Sequence, residues 1–200
     1  MDKRTIDTYD QYAKLYDEEV IEFWDNFPAE ILDKFVESLP GKRILNLGSG
    51  SGRDALLLRD RGLEVVCIDA SKSMIAMTES MGLESHLADF AHLDFPNDSF
   101  DGVWAYTSLI HVTQDEAAAT LRRVRELLRL EGRLLFGAIE GDTAGMVERK
   151  TMPGSLRYFK KYGREELRSL VESAGFQFAY EHDYRPHNNT YLNQLFTVTK

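Results

Sequence analysis

Residues Arg43 to Ala55, RILNLGSGSGRDA, decide the fold. Ile44, Leu45 and Leu47 make a short apolar run bounded by Gly41 and a Gly/Ser cluster, the pattern of a strand buried on both faces of a parallel sheet. The chain then turns through Gly48, Ser49, Gly50, Ser51 and Gly52 into a helix-compatible segment, Asp54 to Arg61. Strand, glycine turn and helix in that order leave free backbone N–H groups at a helix N-terminus, where an anionic group can sit. Spacing excludes three users of this device. A dinucleotide fingerprint needs a small residue where Arg53 stands, a phosphate loop would end in Gly-Lys-Ser/Thr, and a hydrolase elbow needs a central Ser where Gly50 stands.

Four further landmarks follow in order. Glu64–Asp69 (EVVCID) is an apolar run ending in an acid about twenty residues on, the place of a ribose-gripping carboxylate. Leu87-Ala88-Asp89-Phe90, Ser99 to Ala105 (SFDGVWA) and Leu130 to Phe136 (LEGRLLF) complete the set. Together with G-x-G-x-G, these stretches resemble the motifs of class I S-adenosylmethionine-dependent methyltransferases over roughly Arg43 to Ile139. The one departure is Glu131 and Arg133, where that family's turn into strand five commonly has Pro and Gly. The resemblance implies a Rossmann-like three-layer α/β fold with a seven-stranded, mostly parallel sheet whose last strand is antiparallel. It also implies S-adenosyl-L-methionine as cofactor, with S-adenosyl-L-homocysteine as product. The cofactor site it implies is built from Tyr16, Gly48, Ser49, Gly50, Arg53, Asp69, Ala70, Met74, Asp89, Phe90 and Tyr106. Asp69 would hold the ribose and Asp89 the adenine edge, and Met74 would either pack on the adenine or serve as a plain core side chain.

At 200 residues the chain is read as one domain, long enough to bury about 70% of its unfolded surface. A net charge of -9 argues against a nucleic-acid surface. No apolar run approaches a membrane span, and the N-terminal MDKRTIDTYD lacks a signal-peptide core. A single cysteine, Cys67, sits in the second apolar run; it rules out a disulfide framework and fits a reducing cytoplasm.

Thr8 to Phe27 predicts one or two amphipathic helices with an aromatic stripe of Tyr9, Tyr12, Tyr16, Phe23 and Trp24. Tyr9, Ala13 and Tyr16 match the Y-D-x-x-A-x-x-Y lid of small-molecule methyltransferases, with Tyr16 expected to reach the site. Residues 1–40 are accordingly expected to form a helical lid, the second helix running from Ala29 to Leu39. Helices are predicted over Ser71–Ser80, Gln114–Leu128 and Arg164–Ala174, and a strand over Ser85–Asp89. Residues 140–162 lose periodicity at Gly141, Gly145, Pro153 and Gly154 and predict an irregular, substrate-side insertion. Arg149, Lys150, Arg157, Lys160 and Lys161 make it basic, suited to a carboxylate or phosphate on the acceptor. Phe176–Asp183 and Leu192–Thr199, joined by too short a link for a crossover, should pair antiparallel.

Methyl transfer from a sulfonium needs alignment and exclusion of water, and a base only where the acceptor must lose a proton. His111, just after the fourth strand, is the candidate base, because an ordinary imidazole titrates near neutrality. The five histidines show no paired-ligand spacing, so no metal is expected. The expected partner is a small molecule accepting methyl on O or N, for a monomer or homodimer without nucleic acid or membrane. Ala105-Tyr106-Thr107-Ser108 lacks the Asn/Asp-Pro-Pro-aromatic tetrad of amino-methylating nucleic-acid enzymes. An RNA-modifying enzyme, a non-catalytic cofactor-binding subunit and a nicotinamide oxidoreductase remain as alternatives; Arg53 argues against the last.

Overall fold

Strand β1 (Arg43–Leu47) is an interior strand of a seven-stranded sheet in the computed structural model, which describes residues 1–198. Its parallel neighbours are β2 (Glu64–Asp69) and β4 (Phe100–Tyr106). Outside them, also parallel, run β3 (Glu84–Leu87) and β5 (Leu128–Ile139). The sheet closes with β9 (Tyr191–Val198), antiparallel to β5, and β8 (Phe176–Tyr184), antiparallel to β9, in the order β3-β2-β1-β4-β5-β9-β8. The predicted strand's Thr199 falls outside the described residues.

Helices cover both faces, as a parallel sheet requires. On one face α2 (Ala29–Ser38) and α3 (Arg53–Arg59) pack Ile31, Leu32, Phe35 and Leu58 against Ile44, Cys67 and Trp104. On the other, α5 (Gln114–Leu127) and α6 (Arg164–Ser173) pack Leu121, Val124, Leu167 and Val171 with Leu45, Val103 and Phe136. Helix α4 (Lys72–Ser80) starts at Ser71, whose hydroxyl accepts from the Met74 N–H. Cys67 is buried and unpaired. No described helix is long and apolar enough to cross a membrane.

Two expectations change. Residues 140–162 are not irregular: β6 (Ala144–Arg149) and β7 (Met152–Lys160) form an antiparallel hairpin outside the main sheet. Its glycines and Pro153 were breakers only in appearance. A two-stranded ribbon is all edge, so a Pro there removes no central ladder bond, and Gly145 and Gly154 lie in open space. Second, α2 does not belong to a lid, because its apolar face is sealed into the sheet. The covering element is α1 (Lys3–Asp25) alone, capped by Asp2 and kinked at Tyr12 (φ -111°, ψ 20°).

Candidate active site

The β1–α3 turn sets the floor. Gly48 has a positive φ of 74°, and a Cβ there would stand 2.5 Å from the Ser108 Cβ, so only glycine fits. Gly52, at φ 87°, is the residue before α3, and its missing Cβ makes room for Thr78. The turn is fastened to β2 by the Gly48 and Ser49 N–H groups, both donating to the Ile68 carbonyl.

Beneath it lies Asp54, 4% exposed. Its carboxylate accepts from Asn46 Nδ2 (2.9 Å), Trp104 Nε1 (3.0 Å) and the Ala55 N–H (2.9 Å). Burial pushes its pKa up to about 6, and the three donors hold it down from further rise. Beside the turn, Asp69 accepts from the Gly50 N–H (2.9 Å) through one oxygen and the Ser71 N–H (2.9 Å) through the other. Each oxygen keeps a lone pair for a further donor. Burial raises Asp69 to about 6 as well, against the pull of those backbone donors.

Two cavities open above the carboxyl ends of the strands. The smaller, about 50 Å³, is lined by Tyr16, Gly48, Gly50, Asp69, Ala70, Phe90, Tyr106 and His111, together with Met1, Ile6, Tyr9, Ser71, Thr107 and Ser108. The larger, about 610 Å³, lies between α1, the hairpin and the β8–β9 link, walled by Phe23, Trp24, Phe159, Tyr184 and Tyr191. Tyr9, Tyr16, Thr107 and His111 line both, and so form the partition between them. Thr107 is in the left-handed region (φ 50°), a strained place for a β-branched residue, held by its N–H donating to the Gly137 carbonyl.

Four of the expected cofactor residues lie outside the smaller cavity's lining. Arg53 is paired with Asp17 of α1 through Nε (2.8 Å) and Nη2 (2.7 Å). Met74 is a core side chain, 1% exposed. Ser49 is buried with its hydroxyl unpartnered. Asp89 accepts from the Met1 amino group (3.2 Å) and the Ala91 N–H (3.1 Å).

His111 is 8% exposed and hydrogen-bonded at both nitrogens. Nδ1 lies 2.8 Å from the Tyr158 carbonyl, which can only accept, so Nδ1 carries the proton and Nε2 is bare. Nε2 accepts from the Tyr9 hydroxyl (2.8 Å), and the Tyr9 oxygen accepts from Arg157 Nη1 (2.9 Å). Burial, with the Arg157 charge adding to it, drives the imidazole down to about 4 rather than near neutrality. Sequence reasoning missed Tyr9 and Arg157 as neighbours of His111 because 102 and 46 residues separate them from it; only the lid motif hinted at Tyr9.

The residues around the smaller cavity suit an adenosyl cofactor. Asp69 has lone pairs to spare, Ser108 and Tyr106 present buried hydroxyls without partners, and Gly48 and Gly50 expose bare backbone. Comparison with known proteins agrees. A family model described as "Methyltransferase domain" matches residues 44–132. An uncharacterised methyltransferase of Oceanobacillus iheyensis is 30% identical over 152 residues, 68% of this chain and 68% of its own. The demethylmenaquinone methyltransferase of Thermus thermophilus is 31% identical over 180 residues, covering 75% of this chain and 80% of that one. The chain belongs to the class I S-adenosylmethionine-dependent methyltransferases. A solved methyltransferase of this fold is the Burkholderia thailandensis 1,6-didemethyltoxoflavin-N1-methyltransferase, with S-adenosylhomocysteine bound. It superposes with a TM-score of 0.76 at 21% identity, over 98% of this chain and 88% of its own.

In the methyltransferase the smaller cavity, about 50 Å³, is narrower than a nucleoside and lies under α1. Tyr16 of α1 lies over Gly50, its ring 3.8 Å from where a Cβ would stand, so α1 forms part of the cavity's cover. Amide exchange in residues 5–25 should therefore be faster in the ligand-free enzyme than with S-adenosylhomocysteine. Equal protection in both states would make α1 fixed scaffold.

Proposed function

We propose that this methyltransferase acts on a small molecule that fills the larger cavity and offers an O or N nucleophile at the partition. The observation that carries this reading is that Tyr9, Tyr16, Thr107 and His111 face both cavities. Bound S-adenosylmethionine supplies an already activated methyl on a sulfonium. Asp69 accepts from the ribose hydroxyls, and Gly48 and Gly50 give the cofactor's methionine half room against the backbone. Tyr106, Ile110 and the aromatic cover of α1 keep water out.

His111 serves as proton acceptor through Nε2, in the place the Tyr9 hydroxyl now takes. An imidazole at about 4 is a weak base, yet an oxygen gaining a methyl becomes strongly acidic and gives up its proton readily, whereas an amine would enter neutral and leave as an ammonium that keeps its proton near neutrality. The acidic net charge of -9 and the aromatic lining of the larger cavity favour a small acceptor over RNA. A buried, unpaired Cys67 suits a reducing cytoplasm, with the enzyme a monomer or homodimer.

Calorimetry of S-adenosylhomocysteine on Asp69→Ala tests the site. Each lost charge-assisted bond costs about 1.5–3 kcal/mol, so affinity should fall about 10- to 150-fold. Wild-type affinity should also weaken as pH drops through about 6, because a protonated Asp69 no longer accepts at both oxygens. Unchanged affinity in the variant would remove Asp69 from the site. Release of S-adenosylhomocysteine in the presence of a library of phenols and amines then finds the acceptor.

A further inference from the structure

Arg157 is a buried cation without a counter-charge. It is 7% exposed on β7, it lines the larger cavity, and among the described residues no carboxylate pairs with it. Its Nη1 is spent on a neutral partner, the Tyr9 hydroxyl, and its guanidinium lies over the Tyr9 ring at 5.4 Å. Its Nε is buried and finds no acceptor at all. The other charges around the cavity do not settle this deficit. Glu19 is taken by Arg149 at 3.0 Å, and Glu22 is an exposed residue at the rim. A guanidinium kept from water with an idle N–H costs free energy unless something else pairs with it.

Because Arg157 lines the larger cavity, a ligand held there can supply the counter-charge that the protein does not. A carboxylate is what the planar guanidinium fork matches best. The same cavity is lined by flat rings, Tyr9, Trp24, Phe159, Tyr184 and Tyr191, which favour a planar, unsaturated ligand over a branched or sugar-like one. We infer that the acceptor is an aromatic acid, its carboxylate seated on Arg157 and its nucleophile turned toward the partition. This rests on the larger cavity being the acceptor site, as proposed above.

The probes are 3,4-dihydroxybenzoate and its neutral twin, 3,4-dihydroxybenzamide, titrated by calorimetry into enzyme saturated with S-adenosylhomocysteine. The acid should bind about tenfold or more tighter than the amide. Arg157→Gln should erase that gap while still binding S-adenosylhomocysteine, and Arg157→Lys should keep part of it. Equal affinity of acid and amide for the wild type, including no measurable binding of either, overturns the inference. So does a gap that survives in Arg157→Gln. Should the Gln variant not fold, as loss of S-adenosylhomocysteine binding would report, the wild-type pair and the Lys variant decide. Failure here is separable from failure of the cofactor site, which Asp69→Ala and S-adenosylhomocysteine alone address.

Discussion

Replacing His111 by Ala is expected to lower turnover by about 10²–10⁴-fold, with a far smaller change in S-adenosylhomocysteine affinity. The size of the effect follows from the single bare nitrogen on the partition. The Tyr158 carbonyl fixes the tautomer, and Nε2 is left as the acceptor facing Tyr9. An alanine removes that acceptor and leaves Tyr9 and the Tyr158 carbonyl with nothing between them. The pH profile adds a second check. With the imidazole lowered to about 4, the wild-type turnover should show no limb from His111 between pH 6 and 8. It should fall only in acid, as Nε2 takes a proton near pH 4, and that limb should vanish in the variant. Cofactor binding weakens earlier, through Asp69 near pH 6, so the two effects separate between turnover at saturation and affinity. Full turnover in His111→Ala, on an acceptor the wild type methylates, would leave the imidazole as a wall and the reaction driven by alignment alone.

The largest effect on stability is expected at Asp54→Ala. Three donors converge on this carboxylate, from β1, from β4 and from the first turn of α3. Truncation strands the Trp104 indole N–H, fully buried, and the Asn46 amide, also fully buried. Each orphaned buried donor costs about 1–3 kcal/mol, so a loss of about 3 kcal/mol is expected. For a chain of this length that is a Tm lower by about 6–12 °C. Urea unfolding of Asp54→Ala beside Asp54→Asn checks it, the Asn variant keeping one acceptor and losing less. A loss below about 1 kcal/mol would mean that water or rearrangement satisfies both donors.

The strands that carry the motifs were legible because they are apolar on both faces and short. β2 runs over Glu64–Asp69 as expected, and the antiparallel close of β8 and β9 followed from a link too short to cross over. Asp54 was harder. Its only signal was Asn46, a polar residue in the middle of an apolar strand, which has to find a partner when buried. The basicity of His111 was not legible at all, since the burial that lowers it comes from β7, and a sequence does not show that a hairpin will fold over it. Arg53 looked like part of the cofactor turn by adjacency. Its side chain leaves the turn to pair with Asp17 of α1, a partner that contiguity in the motif does not show.

Helix α1 is fastened on two sides. Toward the cofactor, Asp17 grips Arg53, and Asp10 accepts from the Ser71 hydroxyl (2.6 Å) and the Ser73 N–H (3.0 Å). Toward the hairpin, Thr5 accepts from the Tyr158 N–H (2.9 Å), Tyr12 donates to the Pro153 carbonyl (2.7 Å), and Glu19 pairs with Arg149. One helix is thus the roof of one chamber and a wall of the other. Any excursion that admits a nucleoside also loosens the acceptor's enclosure, and an acceptor wedged between α1 and β7 holds that roof down. The expected kinetic order is therefore nucleoside first in and last out, with the methylated product leaving in between, and product-inhibition patterns would check it.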